Sequence, residues 1–151
     1  GNFYAEVTVN VNLCLDKDEY GVIFRAVPGG DHYRFTLNCN GQVRMERVRS
    51  GQNEPLQDWL PSGDVPAGAP VEVKIGVWTF GDEMRFFLND HFQFSVRDPL
   101  FTSGTMGFFI AASGTSPVKA VFTDLSVYSV STSKVTPSAI PSPPPLRTPT
   151  P

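Results

Sequence analysis

Residues 14–48 read CLDKDEYGVIFRAVPGGDHYRFTLNCNGQVRMERV and hold both cysteines of the chain together with three runs in strand pattern. The first turn is Pro28-Gly29-Gly30-Asp31. If Val27 faces His32 across it, Arg25 lies opposite Arg34 and Ile23 opposite Thr36. At the second turn, a two-residue loop Asn40-Gly41 would set Phe35 against Glu46 and bring a carboxylate to the apolar side. A three-residue loop Cys39-Asn40-Gly41 avoids this, and its third position, in the left-handed region, suits glycine. Leu37 then faces Val43, Phe35 faces Met45 and Arg34 faces Glu46. The outcome is a division into two faces, because alternate residues of a strand point to opposite sides. Val22, Phe24, Ala26, Tyr33, Phe35, Leu37, Val43 and Met45 form an apolar side. Arg25, Arg34, Thr36, Asn38, Arg44 and Glu46 form a polar, outward one.

The same alternation runs along 3–13, FYAEVTVNVNL, where Phe3, Ala5, Val7, Val9, Val11 and Leu13 share one side. Further strand patterns occupy 20–27, 32–38, 42–49, 71–79, 83–88, 91–97, 105–112 and 118–130, separated by clusters of Gly, Pro, Asn and Asp. Sustained apolar spacing of three and four is missing, so the expectation is an all-β domain of nine strands in a two-sheet antiparallel sandwich. Twelve phenylalanines, four tyrosines and two tryptophans against 18% charged residues fit a thick aromatic core. In RFFLNDHFQFSV, a two-residue turn at Asn89-Asp90 and a three-residue turn reaching His91 bring opposite faces together. The composition allows both, since Asn and Asp tolerate the left-handed region.

The composition changes after Val130 to STSKVTPSAIPSPPPLRTPTP, with seven prolines in the last fifteen residues. Residues 131–151 thus read as an extended Pro/Ser/Thr-rich linker that tethers a domain of residues 1–130 to others. A proline-rich ligand for a peptide-binding module is the other reading of that stretch. The opening Gly1-Asn2-Phe3 enters strand pattern at once, as expected of a piece of a longer protein.

A net charge of −3 removes the attraction on which non-specific nucleic-acid binding relies. The longest apolar run, MGFFIAA, falls short of the roughly 18 residues of a membrane-spanning helix. Both cysteines arrive near Tyr20, at one end of the sheet, so a bridge can form if the register keeps their Cα atoms within roughly 7 Å. A Cys14–Cys39 disulfide is expected, and with it an oxidising, extracellular or cell-surface location.

Chemistry is harder to find. A retaining glycosidase needs two carboxyls about 5–5.5 Å apart, which one strand supplies at positions i and i+4 or i+5 on one face. None of the fifteen acids has that spacing within a strand. His32 and His91 fall at hairpin turns, no serine sits in a G-x-S-x-G elbow, and the cysteines and histidines lack zinc spacing. Asp16-Lys17-Asp18-Glu19 offers oxygen ligands for calcium, or is a solvated acidic turn. No cofactor is implied, and no enzyme. For binding, planar arginines Arg25, Arg34 and Arg44 with Asn38 and Glu46 offer hydrogen bonds to sugar hydroxyls, or else Arg34 and Glu46 simply make a surface ion pair. Trp59, in a segment read as loop, and Trp78, on a face with Glu72, Lys74 and Gly76, offer rings for stacking. The alternatives are a lid on the core for Trp59 and packing against the next strand for Trp78.

The series YGVIFRA, YRFTLNCNGQVRMERV, VEVKIGVWTFGDEMRFFLND and TSGTMGFFIAASG resembles the concanavalin A-like (laminin G-like) jelly-roll domains of bacterial extracellular and cell-surface proteins. The resemblance spans about residues 3–130. It implies a jelly-roll β-sandwich and supports the Cys14–Cys39 bridge, since related domains often place cysteines at these two points. The glutamate-x-aspartate-x-x-glutamate motif of family 16 glycoside hydrolases, which share the fold, has no counterpart. The resemblance therefore implies lectin-like, non-catalytic recognition of carbohydrate, with a spacer or protein-interaction domain as the alternative. For that alternative, an exposed apolar patch around Phe86, Phe92 or Phe94 would be the sign.

Overall fold

The computed structural model describes residues 1–65 and 67–131, so the linker expected at 131–151 lies, but for its first residue, outside the described residues. The described residues contain ten strands and no helix. These are β1 (Phe3–Leu13), β2 (Glu19–Ala26), β3 (His32–Asn38), β4 (Gln42–Arg49), β5 (Gln52–Pro61), β6 (Val71–Phe80), β7 (Glu83–Leu88), β8 (His91–Arg97), β9 (Thr105–Ala111) and β10 (Lys119–Ser129). They form two five-stranded sheets, ordered β10-β1-β6-β7-β8 and β5-β4-β3-β2-β9. Every pairing is antiparallel, and the two apolar faces meet in one core. The architecture is the all-β two-sheet sandwich that the alternation anticipates, of the jelly-roll class that the resemblance implies.

Packing follows the faces read from the sequence. Val7, Val9 and Val11 of β1 and Val22, Phe24, Tyr33, Phe35, Leu37, Val43 and Met45 of the opposite sheet are all buried in the core. Phe35 stacks on Phe86 across the sandwich with ring centroids 4.6 Å apart, and Phe86 meets Phe94 at 5.0 Å. Each such side chain contributes about 1.5–3 kcal/mol by leaving water. Phe86 and Phe94 are therefore core, and of the three rings expected as an interaction patch only Phe92 is exposed.

Three local readings are corrected or resolved. First, β5 is a strand where a loop was expected, with the consequence that Trp59 sits on a sheet. Pro55 and Pro61 obscured it, but β5 is an edge strand, where proline need not supply a ladder hydrogen bond. Second, β2 pairs with β3 two residues away from the expected register, Ile23 facing Arg34 and Gly21 facing Thr36. The β2–β3 ladder runs unbroken from Glu19 to Phe24 and stops before Arg25, whose φ is 49°; on the other side of β2 the ladder to β9 breaks between Ile23 and Ala26. A shift of two leaves every other side chain on its face, so the core is unchanged. Third, the β7–β8 hairpin uses both candidate registers. Its Asn89-Asp90 turn, both residues at positive φ, sets Leu88 against His91 and Phe87 against Phe92. A bulge then shifts the pairing so that Phe86 meets Phe94 in the core. The three-residue β3–β4 loop occurs as expected, with Gly41 at φ 78° and Arg34 opposite Glu46.

The Cys14–Cys39 disulfide is present, its Cα atoms 5.9 Å apart. It ties the end of β1 to the β3–β4 turn and so links the two sheets. Nearby Asp18 pins the same end of the molecule: its carboxylate accepts the N–H of Leu15 at 2.9 Å and both the N–H and the hydroxyl of Ser113 at 2.7 and 2.9 Å.

Candidate functional site

The outward face of the β5-β4-β3-β2-β9 sheet carries a row of charged and aromatic side chains. Arg34 on β3 and Glu46 on β4 are direct cross-strand partners. Both guanidinium donors of Arg34, Nε and Nη2, reach the same Oε2 of Glu46, at 3.1 and 2.5 Å. Arg44, two residues along β4, sends Nη2 to Glu19 Oε1 of β2 at 2.7 Å and brings Nε to 3.2 Å from Glu46 Oε1. That second approach is a charge contact without hydrogen-bond alignment, and Arg44 Nε has no donor–acceptor partner among the described residues. Thr36 adds a hydroxyl bond to Glu19 Oε1 at 3.2 Å.

Aromatic rings close the row at both ends. Arg34 Cζ lies 4.0 Å from the ring centroid of Phe109 on β9, and Arg44 Cζ lies 4.2 Å from that of Trp59 on β5. Each stacked guanidinium is worth about 0.5–2 kcal/mol, more as water is excluded. The order across the sheet is thus Phe109, Arg34, Glu46, Arg44, Trp59. Small residues shape one side of it: at Gly21 of β2 an added Cβ would come 2.0 Å from the Phe35 carbonyl oxygen, so nothing larger fits.

This face is drier than a solvated sheet back. Arg34 is 8% exposed and Glu46 3%: Arg34 stacks on Phe109, and Glu46 is flanked by Arg34 and Arg44. Neither enters the core, yet the exposed cross-strand pair expected from the alternation is in fact a buried one. For such a pair, loss of one partner costs far more than the pair contributes, since it strands a charge.

The structure separates the remaining candidates. Arg25 is not on the outward face: it is 1% exposed, and its guanidinium donates to the carbonyls of Gly81 at 2.9 Å, Phe101 at 3.1 Å and Gly1 at 3.1 Å. The positive φ that breaks the ladder turns this side chain into the end of the sandwich, and burial lowers its pKa. Asn38 is occupied by its own hairpin. Its Oδ1 accepts the N–H groups of Asn40 and Gln42 at 3.0 and 3.1 Å, and its Nδ2 donates to Gln42 Oε1 at 2.9 Å. Trp78 lies on the outward side of the other sheet, under Arg85 at 4.4 Å and beside Phe80. It cannot share a ligand with Arg34. Arg34, Arg44, Glu46 and Trp59 are the candidates that come together, joined by Phe109 and Glu19, which the sequence reading missed. A signal for one existed: in the run MGFFIAA two adjacent phenylalanines cannot both face the core.

Several groups that a catalytic reading would draw on are engaged by protein partners. His91 Nδ1 lies 2.7 Å from Asp64 Oδ1 and Ser62 is nearby, but the Ser62 hydroxyl donates to Gln93 Oε1 at 2.5 Å and not to the imidazole. Glu19 and Glu46 are each committed to an arginine. No group of three or more His, Cys, Asp or Glu is placed to hold a metal ion among the described residues, and the Asp18 carboxylate is filled by protein donors. No helix among the described residues is long and apolar enough to cross a membrane.

No protein-family model matches the chain, and no curated protein matches it in sequence. Solved structures share its fold. The carbohydrate binding module CBM66 from Bacillus subtilis superposes with a TM-score of 0.71 at 15% identity, covering 85% of this chain and 75% of that one. Sheep galectin-11, in complex with glycerol, gives 0.62 at 16% identity over 84% and 90%. The GH43 protein BlXynB from Bacillus licheniformis gives 0.63 at 12% identity over 85% of this chain and 28% of the enzyme. At these identities the likeness is one of architecture, a two-sheet β-sandwich of the jelly-roll class.

Proposed function

We propose that this chain is a non-catalytic carbohydrate-recognition module, working outside the cytosol within a larger surface or secreted protein, with residues 131–151 as its tether. The observation that carries the reading is the row Phe109, Arg34, Glu46, Arg44, Trp59 on one sheet face. A sugar ring presents an apolar C–H face and a rim of hydroxyls, and recognition needs an aromatic surface beside fixed planar donors and acceptors. Trp59 supplies the surface, and Arg34, Arg44, Glu46 and Glu19 supply the polar groups, held rigid by one another. The fold shared with a carbohydrate binding module and a galectin supports the same reading, as the disulfide supports an oxidising compartment.

A glycan microarray followed by calorimetric titration tests this. Retention of a glycan class by the wild-type chain, weakened about thirtyfold in Trp59→Ala and Arg44→Ala, is the expected outcome, the size of a central interface contact. An empty array, or affinities unchanged in both variants, would remove the proposal.

A second reading, a protein-interaction or spacer module, draws on a different observation. Along the edge strands β9 and β10, which meet through the stack of Phe108 on Phe122 at 4.4 Å, Phe108, Ile110, Leu125 and Val127 are 41–57% exposed. The β5/β8 side is instead closed by Val65 of the intervening loop, which is buried in the core. If this edge is the working surface, Ile110→Lys will abolish association with a protein partner while the glycan array stays blank.

A further inference from the structure

The charges of the candidate face cancel. Arg34 and Arg44 contribute two positive charges, Glu46 and Glu19 two negative ones, and each guanidinium already contacts a carboxylate at 2.5 or 2.7 Å. The other partners on the row, Trp59, Phe109, Thr36 and Gln42, carry no charge. We infer that the ligand of this face is an uncharged glycan, and that uronate-bearing or sulfated glycans are excluded; this rests on reading the face as a sugar site. The carboxylate or sulfate of an acidic glycan brings acceptors alone. Even at a guanidinium Nη1 that Glu46 and Glu19 leave free, its charge lies beside those two carboxylates, which already offset both cations of the row. A hydroxyl, in contrast, both donates and accepts. The row offers it both: carboxylate oxygens of Glu46 and Glu19 as acceptors, and beside them the Nη1 groups of Arg34 and Arg44, which bond no other group among the described residues. Neighbouring hydroxyls of a neutral sugar therefore fit a guanidinium–carboxylate pair without breaking it, while the C–H face rests on the ring at the end of the row.

The experiment compares uncharged oligosaccharides of glucose, galactose, mannose and fructose with oligogalacturonate and sulfated heparin oligosaccharides, by titration at low and high NaCl. Binding confined to uncharged sugars and changing less than about twofold between 0.05 and 0.5 M NaCl supports the inference, since only an ionic contact is strongly screened. Removing one negative charge should shift the preference. Glu46→Gln leaves Arg34 without its buried partner and endangers folding, so the half-buried Glu19→Gln, verified by its unfolding curve, is the companion variant. A folded Glu19→Gln that gains about tenfold for oligogalacturonate at low salt supports the inference; no gain in that folded variant overturns it. Wild-type preference for acidic glycans also overturns it and leaves the sugar reading standing. Binding of neither class sinks the sugar reading itself, and the inference with it.

Discussion

Three carbonyl oxygens hold the guanidinium of Arg25 in a buried site that contains no carboxylate. They belong to the β6–β7 turn, the segment after β8 and the start of the chain, so one side chain joins three otherwise separate pieces. Arg25→Met should destabilise by about 2–4 kcal/mol, as several buried acceptors lose their donor at once, with affinity for any bound oligosaccharide unchanged; urea unfolding beside a glycan titration checks both halves. Asp18 has a comparable role through the opposite charge. Burial by itself raises its pKa, but the bonds from Ser113 and Leu15 outweigh that and hold it below the ordinary carboxylate value. A carboxyl whose folded pKa is depressed contributes stability above its unfolded pKa and loses it as pH falls through the folded one. Asp18→Asn is therefore expected to cost about 1.5–3 kcal/mol at pH 7. The difference from wild type should shrink below about pH 4, where the unfolded carboxyl protonates. Urea titrations at pH 7 and pH 3 provide the comparison.

Among the elements, the β2–β4 meander with its disulfide is what aligns the charged row. Cys14 and Cys39 are 25 residues apart in sequence, and closing a loop of that size removes about 3.5 kcal/mol of unfolded-chain entropy at 25 °C. The double variant Cys14→Ser/Cys39→Ser should lose roughly that much in denaturant unfolding, and wild type under strong reductant should behave alike. The faces of these strands were legible in the residues because the pleat sorts neighbours by parity, and a two-residue slip preserves parity. The slip itself was not legible, nor was the left-handed conformation of Arg25, which suits its buried partners. β5 was illegible for another reason. Its prolines and irregular polar residues match no alternating pattern, and only its place at a sheet edge makes them harmless. The 89–90 hairpin offered two registers, and the structure uses one on each side of a bulge.

In the molecule as a whole, the two tryptophans serve opposite surfaces. Trp59 belongs to the charged row. Trp78 belongs to an aromatic band on the other sheet, where Tyr128, Tyr4, Phe87 and Phe92 follow one another at 5.8–6.3 Å. Gly76 lets that band run unbroken across β6, since a Cβ there would lie 2.9 Å from the Tyr4 hydroxyl. Sugar binding at the charged row should perturb one indole and spare the other. Fluorescence titration with an oligosaccharide retained on the array should show its full emission change in Trp78→Phe and none in Trp59→Phe. The reverse pattern would move the site to the other sheet.

The order of residues along the chain was enough to decide which side chains of β3 and β4 enter the core, that Gly41 completes a three-residue turn and that two cysteines reach the same end, because each is settled by the pleat of a strand or the geometry of one turn. It did not decide that Arg25 leaves the row, that Arg34 and Glu46 lie nearly dry, or that Phe109, more than sixty residues along the chain from Arg34, stacks on it. Those follow from which strand lies beside which, and that choice is made by the burial of both sheets together, a sum over distant segments that no local pattern contains.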